Sequence, residues 1–123
     1  MNHGSQFRIV FSSADVTTAA AITLFDCDGT SRALAATERF IIDHIQMNKA
    51  SGTTIVRLFD DIDADGVIDT GELLISFSTI TGAPFVASFD QEGMPCGKGR
   101  LPKVIASAAG LVEVTGTGHI VTS

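Results

Sequence analysis

One short stretch of the chain, DDIDADGVIDTGE at residues 60–72, contains six carboxylates and no Lys or Arg. Its acidic residues recur at alternate positions, the spacing at which a tightly turning backbone directs side-chain oxygens toward one point. Counted from Asp61, the stretch matches a twelve-residue calcium loop at every position, with Gly66 where the backbone must turn sharply. The predicted oxygen ligands are Asp61, Asp63, Asp65, the backbone carbonyl of Val67, Asp69 and Glu72.

The sequence on either side of this stretch is not that of an EF-hand. An EF-hand places a helix before and after its loop. Here TTIVRLF (53–59) precedes the loop and LLISFSTI (73–80) follows it, and both segments have the composition of strands. We therefore expect an EF-hand-like calcium loop at 61–72 that joins two strands. Without helices to swing open, the Ca²⁺ is expected to be structural.

A solvated acidic loop whose Asp side chains cap turns is the alternative interpretation. Carboxylates in close contact repel one another by about 1 kcal/mol per pair even at the dielectric constant of water. A bound cation would remove that repulsion. Mg²⁺ fits the pattern less well, because it keeps several waters and binds through only one or two carboxylates.

The charges outside this loop are balanced. The chain has 14 acidic and 8 basic residues, so the six acids of 60–72 leave 8 acids against 8 bases, and the formal net charge of −6 comes from the loop. No basic stripe is present that could follow a phosphate backbone, which argues against a nucleic-acid partner. Apolar residues never run beyond four in succession, whereas a membrane-spanning helix needs about 20.

Alternation of apolar and polar residues, typical of half-buried strands, recurs along the chain. Turns rich in Gly, Ser, Asp and Pro separate these segments. The pattern predicts an all-β, single-domain β-sandwich or jelly roll of about eight antiparallel strands over 7–123, after a flexible arm at 1–6. The predicted strands are 7–12, 19–25, 39–47, 53–59, 72–80, 85–89, 103–108 and 111–121.

Three segments depart from simple alternation. Residues 31–39 contain helix formers and predict a single turn or an irregular connection. Residues 92–102 hold three Gly and two Pro, which predicts a long ordered loop. In 39–47, strict alternation places Phe40 and Ile42 on one face and Ile41, Ile45 and Met47 on the other. That strand, like 53–59, needs cover on both faces, from a loop of the same chain or from another subunit.

Other candidate sites are weaker. Asp43 and His44 are strand neighbours, whose side chains point to opposite faces, so no catalytic dyad is expected. For His119 the sequence suggests no partner. Lys98 near Cys96 could lower the pKa of that thiol, although a buried bystander cysteine is the favoured interpretation. No serine lies in a GxSxG elbow, and we expect no enzyme activity.

The cysteines and the segment at 97–100 are also weak candidates for a site. Cys27 and Cys96 form no CxxC pair, and free thiols are favoured over a disulfide. The segment GKGR (97–100) resembles part of a phosphate-binding loop, but its spacing from Gly93 is one residue short and no Ser or Thr follows the lysine. A basic loop docking on an acidic partner is the better functional alternative for this segment.

Several segments together resemble the small β-rich decoration or cement proteins of tailed-bacteriophage capsids. These segments are RFIIDHIQM, TTIVRLFDD with its DxDxDG loop, GKGRLPK and VIASAAGLVEVTGTGHIV, and the likeness covers roughly residues 39–121. The resemblance implies a sandwich or jelly roll, commonly a homotrimer, bound to the major capsid protein or another virion protein, located in the virion and without catalysis. It also implies that the doubly apolar strands are subunit contacts.

Two other classes of protein remain open. A calcium-stabilised β-sandwich that binds carbohydrate or a surface receptor would usually present aromatic platforms, yet the chain has no Trp and no Tyr. A jelly-roll enzyme would need clustered His and carboxylates inside its barrel, whereas the three His are scattered along the chain.

Overall fold

A computed structural model describes residues 6–49, 54–79, 84–89 and 92–122. These residues form eleven β-strands and no helix, so the predicted all-β class is confirmed. The strands are β1 (Gln6–Ser13), β2 (Ala20–Ala21), β3 (Thr23–Phe25), β4 (Ser31–Arg32), β5 (Glu38–Lys49), β6 (Thr54–Phe59), β7 (Leu73–Thr79), β8 (Phe85–Ser88), β9 (Met94–Lys98), β10 (Lys103–Ala106) and β11 (Val112–Thr122).

The strands pair antiparallel in two sheets. The larger sheet has the order β4-β3-β1-β11-β5-β8, and β9 pairs with another part of β5. The smaller sheet has the order β2-β10-β6-β7. Both sheets contribute side chains to one buried apolar core, which makes the arrangement sandwich-like. Its members include Ile9, Leu24, Phe40, Ile45, Val56, Leu58, Val104 and Val114.

The described residues contain more strands than the sequence predicts. The single strand predicted at 19–25 is divided into β2, in the smaller sheet, and β3, in the larger sheet. β4 has two residues, too few to show any periodicity. β9 lies within 92–102, so the prediction of a continuous loop there was wrong. Pro95 is tolerated in β9 because this strand pairs only with β5 in the described sheet, at its edge. In 31–39, β4 is followed by an irregular connection with one turn, where Glu38 N–H donates to the Ala35 carbonyl at 3.0 Å.

The predicted amino-terminal arm at 1–6 falls mostly outside the described residues, which begin at Gln6. Gln6 is already the first residue of β1 and lies opposite His119 in β11.

A β-bulge in β5 corrects the predicted faces of that strand. The pairing of β5 with β11 shifts by one residue, and Asp43 is the extra residue without a direct partner. Since the bulge moves the alternation by one position, the core-facing residues change from even to odd numbers along the strand. The prediction that Ile45 and Met47 lie opposite Phe40 was therefore wrong. The fully buried residues of β5 are Phe40, Ile42, Ile45 and Met47.

The second face of β5 is covered in part by the same chain. Ile41 is 7% exposed, and the backbone of Gly93 lies so close that a Cβ there would be 2.5 Å from Ile41 Cγ2. In β6 the alternation is regular over 54–58, with Val56 and Leu58 fully buried and Ile55 37% exposed. Phe59 follows Leu58 and is also fully buried, at the point where the pairing with β7 shifts. The chain itself therefore covers Ile41 and Phe59, whereas Ile55 faces solvent.

Candidate metal site

The acidic loop joins β6 to β7, which are neighbours in the smaller sheet. Asp60 N–H donates to the Glu72 carbonyl at 2.8 Å, which extends the strand pairing beyond Phe59 and Leu73 and closes the base of the loop. Both flanks are strands, as the sequence predicts. The two ends of the loop are therefore held at a fixed separation by the sheet.

Four carboxylates of this loop converge. Oxygens of Asp61, Asp63, Asp65 and Glu72, one from each residue, all lie within 4.8 Å of one another. Asp61 and Glu72 are buried, while Asp63 and Asp65 are exposed, so the cluster lies at the surface with its first and last members anchored in the protein. This cluster could bind a metal ion, and its oxygen donors suit a hard cation.

Asp69 and Val67, the two other predicted ligands, are not part of that four-residue cluster. The pKa of Asp69 is raised, chiefly by the charge of Asp65 and then by desolvation, which places its carboxyl in the same acidic environment. In calcium loops the ninth position, occupied here by Asp69, often acts through a water molecule. Roles for Asp69 and for the Val67 carbonyl stay predictions.

Backbone hydrogen bonds fold the first half of the loop around Asp61. The N–H groups of Asp65 and Gly66 donate to the Asp61 carboxylate at 3.2 and 2.9 Å, and Val67 N–H donates to Asp65 Oδ1 at 2.9 Å. Gly66 has a φ of 74°, in the left-handed region that favours glycine, and Ala64 has a φ of 57°. These turns bring alternate carboxylates to the same side of the loop.

Glu72 ties the two halves of the loop together. Its Oε2 accepts a hydrogen bond from Ile62 N–H at 2.9 Å, and its Oε1 accepts one from Asp69 N–H at 2.7 Å. Each oxygen of an ionised carboxylate offers about two acceptor sites. Both oxygens can therefore accept an N–H bond and still face a cation, which fits the expected role of Glu72 as the closing ligand.

Two basic residues, Arg100 in the connection between β9 and β10 and Lys103 at the start of β10, pair with the first two acids. Arg100 donates Nε–H and Nη2–H to the two carboxylate oxygens of Asp60, at 2.9 and 3.0 Å. Lys103 Nζ lies 2.7 Å from Asp61 Oδ2, and this hydrogen bond is the largest cause that lowers the pKa of Asp61 to about 2. Asp60 therefore anchors the loop base to the fold and lies outside the predicted ligand set.

Sequence reasoning missed Lys103 and Arg100 as parts of this site. Lys103 lies opposite Phe59 in the pairing of β10 with β6, and this register places its amine beside Asp61. The guanidinium of Arg100 is already paired with Asp60. Arg100 is therefore not free to contact an acidic partner, as the interpretation of 97–100 as a basic docking loop requires. Gly97 permits this packing, since a Cβ there would clash with the Asp60 carboxylate.

The pKa of Asp63 predicts how the metal-free protein responds to pH. Partial desolvation, then a hydrogen bond with Asp65 and then the charges of Asp65, Asp69 and Glu72, raise it from 3.8 to about 6. A carboxyl whose pKa is raised by folding disfavours the folded state when ionised. Ionisation of Asp63 therefore lowers the free energy of unfolding of the metal-free protein as the pH rises from about 4 to 6. Above pH 6 this destabilisation is complete.

We expect Asp63→Asn to melt at a higher temperature than the wild type at pH 7 in chelator, and the two melting temperatures to converge near pH 4. The substitution keeps the size of the side chain and removes the charge. Thermal melts from pH 4 to 7 in chelator measure this difference. A difference that stays constant over that range would contradict the proposed pKa of Asp63.

The other candidate sites have local partners. His119 Nδ1 lies 2.9 Å from Asp43 Oδ2, and His44 Nδ1 lies 2.7 Å from Ser88 Oγ. Asp43 and His44 thus contact different residues, and His119 has a partner that the sequence did not suggest. Burial, and then the charge of Asp60, raises the pKa of Cys96 to about 12, which agrees with the favoured interpretation of a buried bystander cysteine and not with an activated thiol. Cys27 is exposed, and both cysteines are free thiols, as favoured from the sequence.

In the part of the chain that the structure describes, no helix is long and apolar enough to cross a membrane. Comparison with family models, curated proteins and solved structures gives no match. The geometry of the acidic loop is therefore the main guide to function.

Proposed function

We propose that this protein is a non-catalytic structural protein whose β6–β7 hairpin is stabilised by one Ca²⁺ in the loop at 61–72. The observation that carries the proposal is the convergence of Asp61, Asp63, Asp65 and Glu72, whose oxygens lie within 4.8 Å of one another. The proposed ligand set adds Asp69 and the carbonyl of Val67, in the order of a twelve-residue calcium loop.

The chemistry of the donors supports Ca²⁺ over other metals. The clustered groups are all carboxylates, whereas Zn²⁺ and Cu²⁺ sites usually include His or Cys. A loop that offers four to six protein oxygens suits Ca²⁺, which takes six to eight oxygen ligands, better than Mg²⁺, which retains several waters.

The anchoring of the loop supports a structural role over a sensor role. Asp60 and Asp61 are fixed by Arg100 and Lys103, and Glu72 is held at the start of β7. Calcium sensors change the angle between two helices, and here the loop connects two paired strands. Binding energy would therefore stabilise the folded state by mass action.

We further propose that this building block decorates a phage capsid, as a jelly-roll-type homo-oligomer bound to the major capsid protein. The resemblance of residues 39–121 to decoration proteins supports this assignment. Exposed apolar side chains on the smaller sheet and its loop support a contact surface: Ile55 is 37% exposed, Leu73 47% and Val67 58%.

Co-sedimentation tests the capsid assignment. Purified protein is mixed with shells assembled from the major capsid protein of the same phage, in calcium and in chelator. We expect the protein to pellet with the shells in calcium, and Asp65→Ala to pellet less. Protein that stays in the supernatant at every ratio of protein to shell would contradict the capsid role and leave calcium binding as a separate question.

A further inference from the structure

Strand β7 is the longest edge strand among the described residues. It pairs with β6 on one side, and no described strand lies on its other side. The other edge strands are shorter: β2 and β4 have two residues, β8 has four, and β9 has five including Pro95. An edge strand presents a row of backbone N–H and C=O groups, and these groups are complementary to another β-strand.

β7 lacks most of the features that protect an edge from such pairing. Its sequence, LLISFST, contains no charged residue, no Pro and no Gly. The pairing with β6 shifts at Leu74, so the regular part of the edge is 75–79. Because the whole chain has a formal net charge of −6, a neutral edge is a surface where a second copy can approach with little charge repulsion.

We propose that two copies of the chain associate through β7, antiparallel about a two-fold axis at Phe77. In this register the backbone of Ser76 pairs with that of Ser78 in the second copy, and Ile75 pairs with Thr79. The two smaller sheets, of four strands each, then form one continuous eight-stranded sheet.

The side chains of β7 favour an identical strand as the occupant. Phe77 points inward and stacks on Phe85, with ring centroids 5.2 Å apart. Ser76 and Ser78 are exposed, so the outer face presents small neutral groups that fit their own copies without steric or charge conflict. A foreign peptide strand would need side-chain pockets for specificity, and two serines provide none. No residue of the loop at 61–72 takes part, so this contact can fail while the calcium proposal holds.

Sedimentation equilibrium over a range of protein concentrations, in calcium, tests the contact with two matched double variants. Ser76→Lys/Ser78→Lys places like charges opposite each other at both positions and is expected to weaken association about tenfold or more. Ser76→Lys/Ser78→Glu places opposite charges in register and is expected to retain it. Thermal melts establish that both variants fold.

The wild type is expected to double its mass as concentration rises, and the double-lysine variant to stay at half that mass. The proposal would be overturned if the wild type has the mass of a monomer at every concentration. A trimer, or any oligomer whose mass the double-lysine variant leaves unchanged, would also overturn it.

Discussion

Removal of calcium is expected to lower the melting temperature of this protein by roughly 10 °C. An ion at 100 times its dissociation constant adds about 2.7 kcal/mol to the free energy of unfolding. For a domain of this size, 1 kcal/mol corresponds to a shift of about 4 °C. The physical source is the cluster at 61–72, whose carboxylates lie within 4.8 Å of one another and repel when no cation is present.

Asp65→Ala separates metal binding from general effects of chelator. Asp65 is exposed and belongs to the converging cluster, so its removal is expected to abolish the response to calcium while the protein still folds. Glu113→Ala, which removes an exposed acid of β11, is the matched control and should respond like the wild type. Circular-dichroism melts in calcium and in chelator make the comparison. Wild-type melts that coincide in the two conditions would contradict a stabilising ion.

Lys103→Met is expected to raise the affinity for calcium about tenfold while lowering the stability of the metal-free protein. Lys103 Nζ lies 2.7 Å from Asp61 Oδ2, so its positive charge opposes a cation held by the same carboxylate. A monovalent and a divalent charge ~6 Å apart interact by about 1.4 kcal/mol at the dielectric constant of water, which is a factor of ten in affinity. Without calcium, the substitution leaves the buried Asp61 carboxylate without its counter-ion.

Calorimetric titration measures the affinity of this variant, and melts in chelator measure its stability. Lys103→Arg preserves the charge and is expected to bind calcium like the wild type. Lys98→Met makes the same change in net charge at an exposed lysine of β9 and controls for long-range effects. Weaker calcium binding by Lys103→Met would show that the lysine positions Asp61 for the ion instead of opposing it.

The ligand cluster could be predicted from sequence because all its members lie within twelve consecutive residues. The spacing of Asp61, Asp63, Asp65 and Glu72 fixes their convergence once the loop turns at Gly66, and no tertiary contact is needed to identify them. Lys103 was not predictable in the same way. Its position beside Asp61 depends on the register of β10 against β6, which local periodicity does not specify.

In the fold, too, local sequence predicted some features, whereas features that depend on strand pairing were missed. Strands with clear patterns were predicted, β1 from its alternation and β6 from its β-branched composition. The bulge at Asp43 was missed because the two-residue period assumes an unbroken strand, and a bulge is defined by pairing with another strand. β9 was missed because Pro95 and Gly97 suggest a loop, although an edge strand tolerates both.

A calorimetric titration of the purified protein with Ca²⁺ tests the central claim most directly. We predict one ion bound per chain in the wild type and no saturable binding in Asp65→Ala, with both proteins folded under the conditions of the titration. A wild type that takes up no calcium, or an Asp65→Ala variant that binds as tightly as the wild type, would contradict the assignment of the loop at 61–72 as a calcium site.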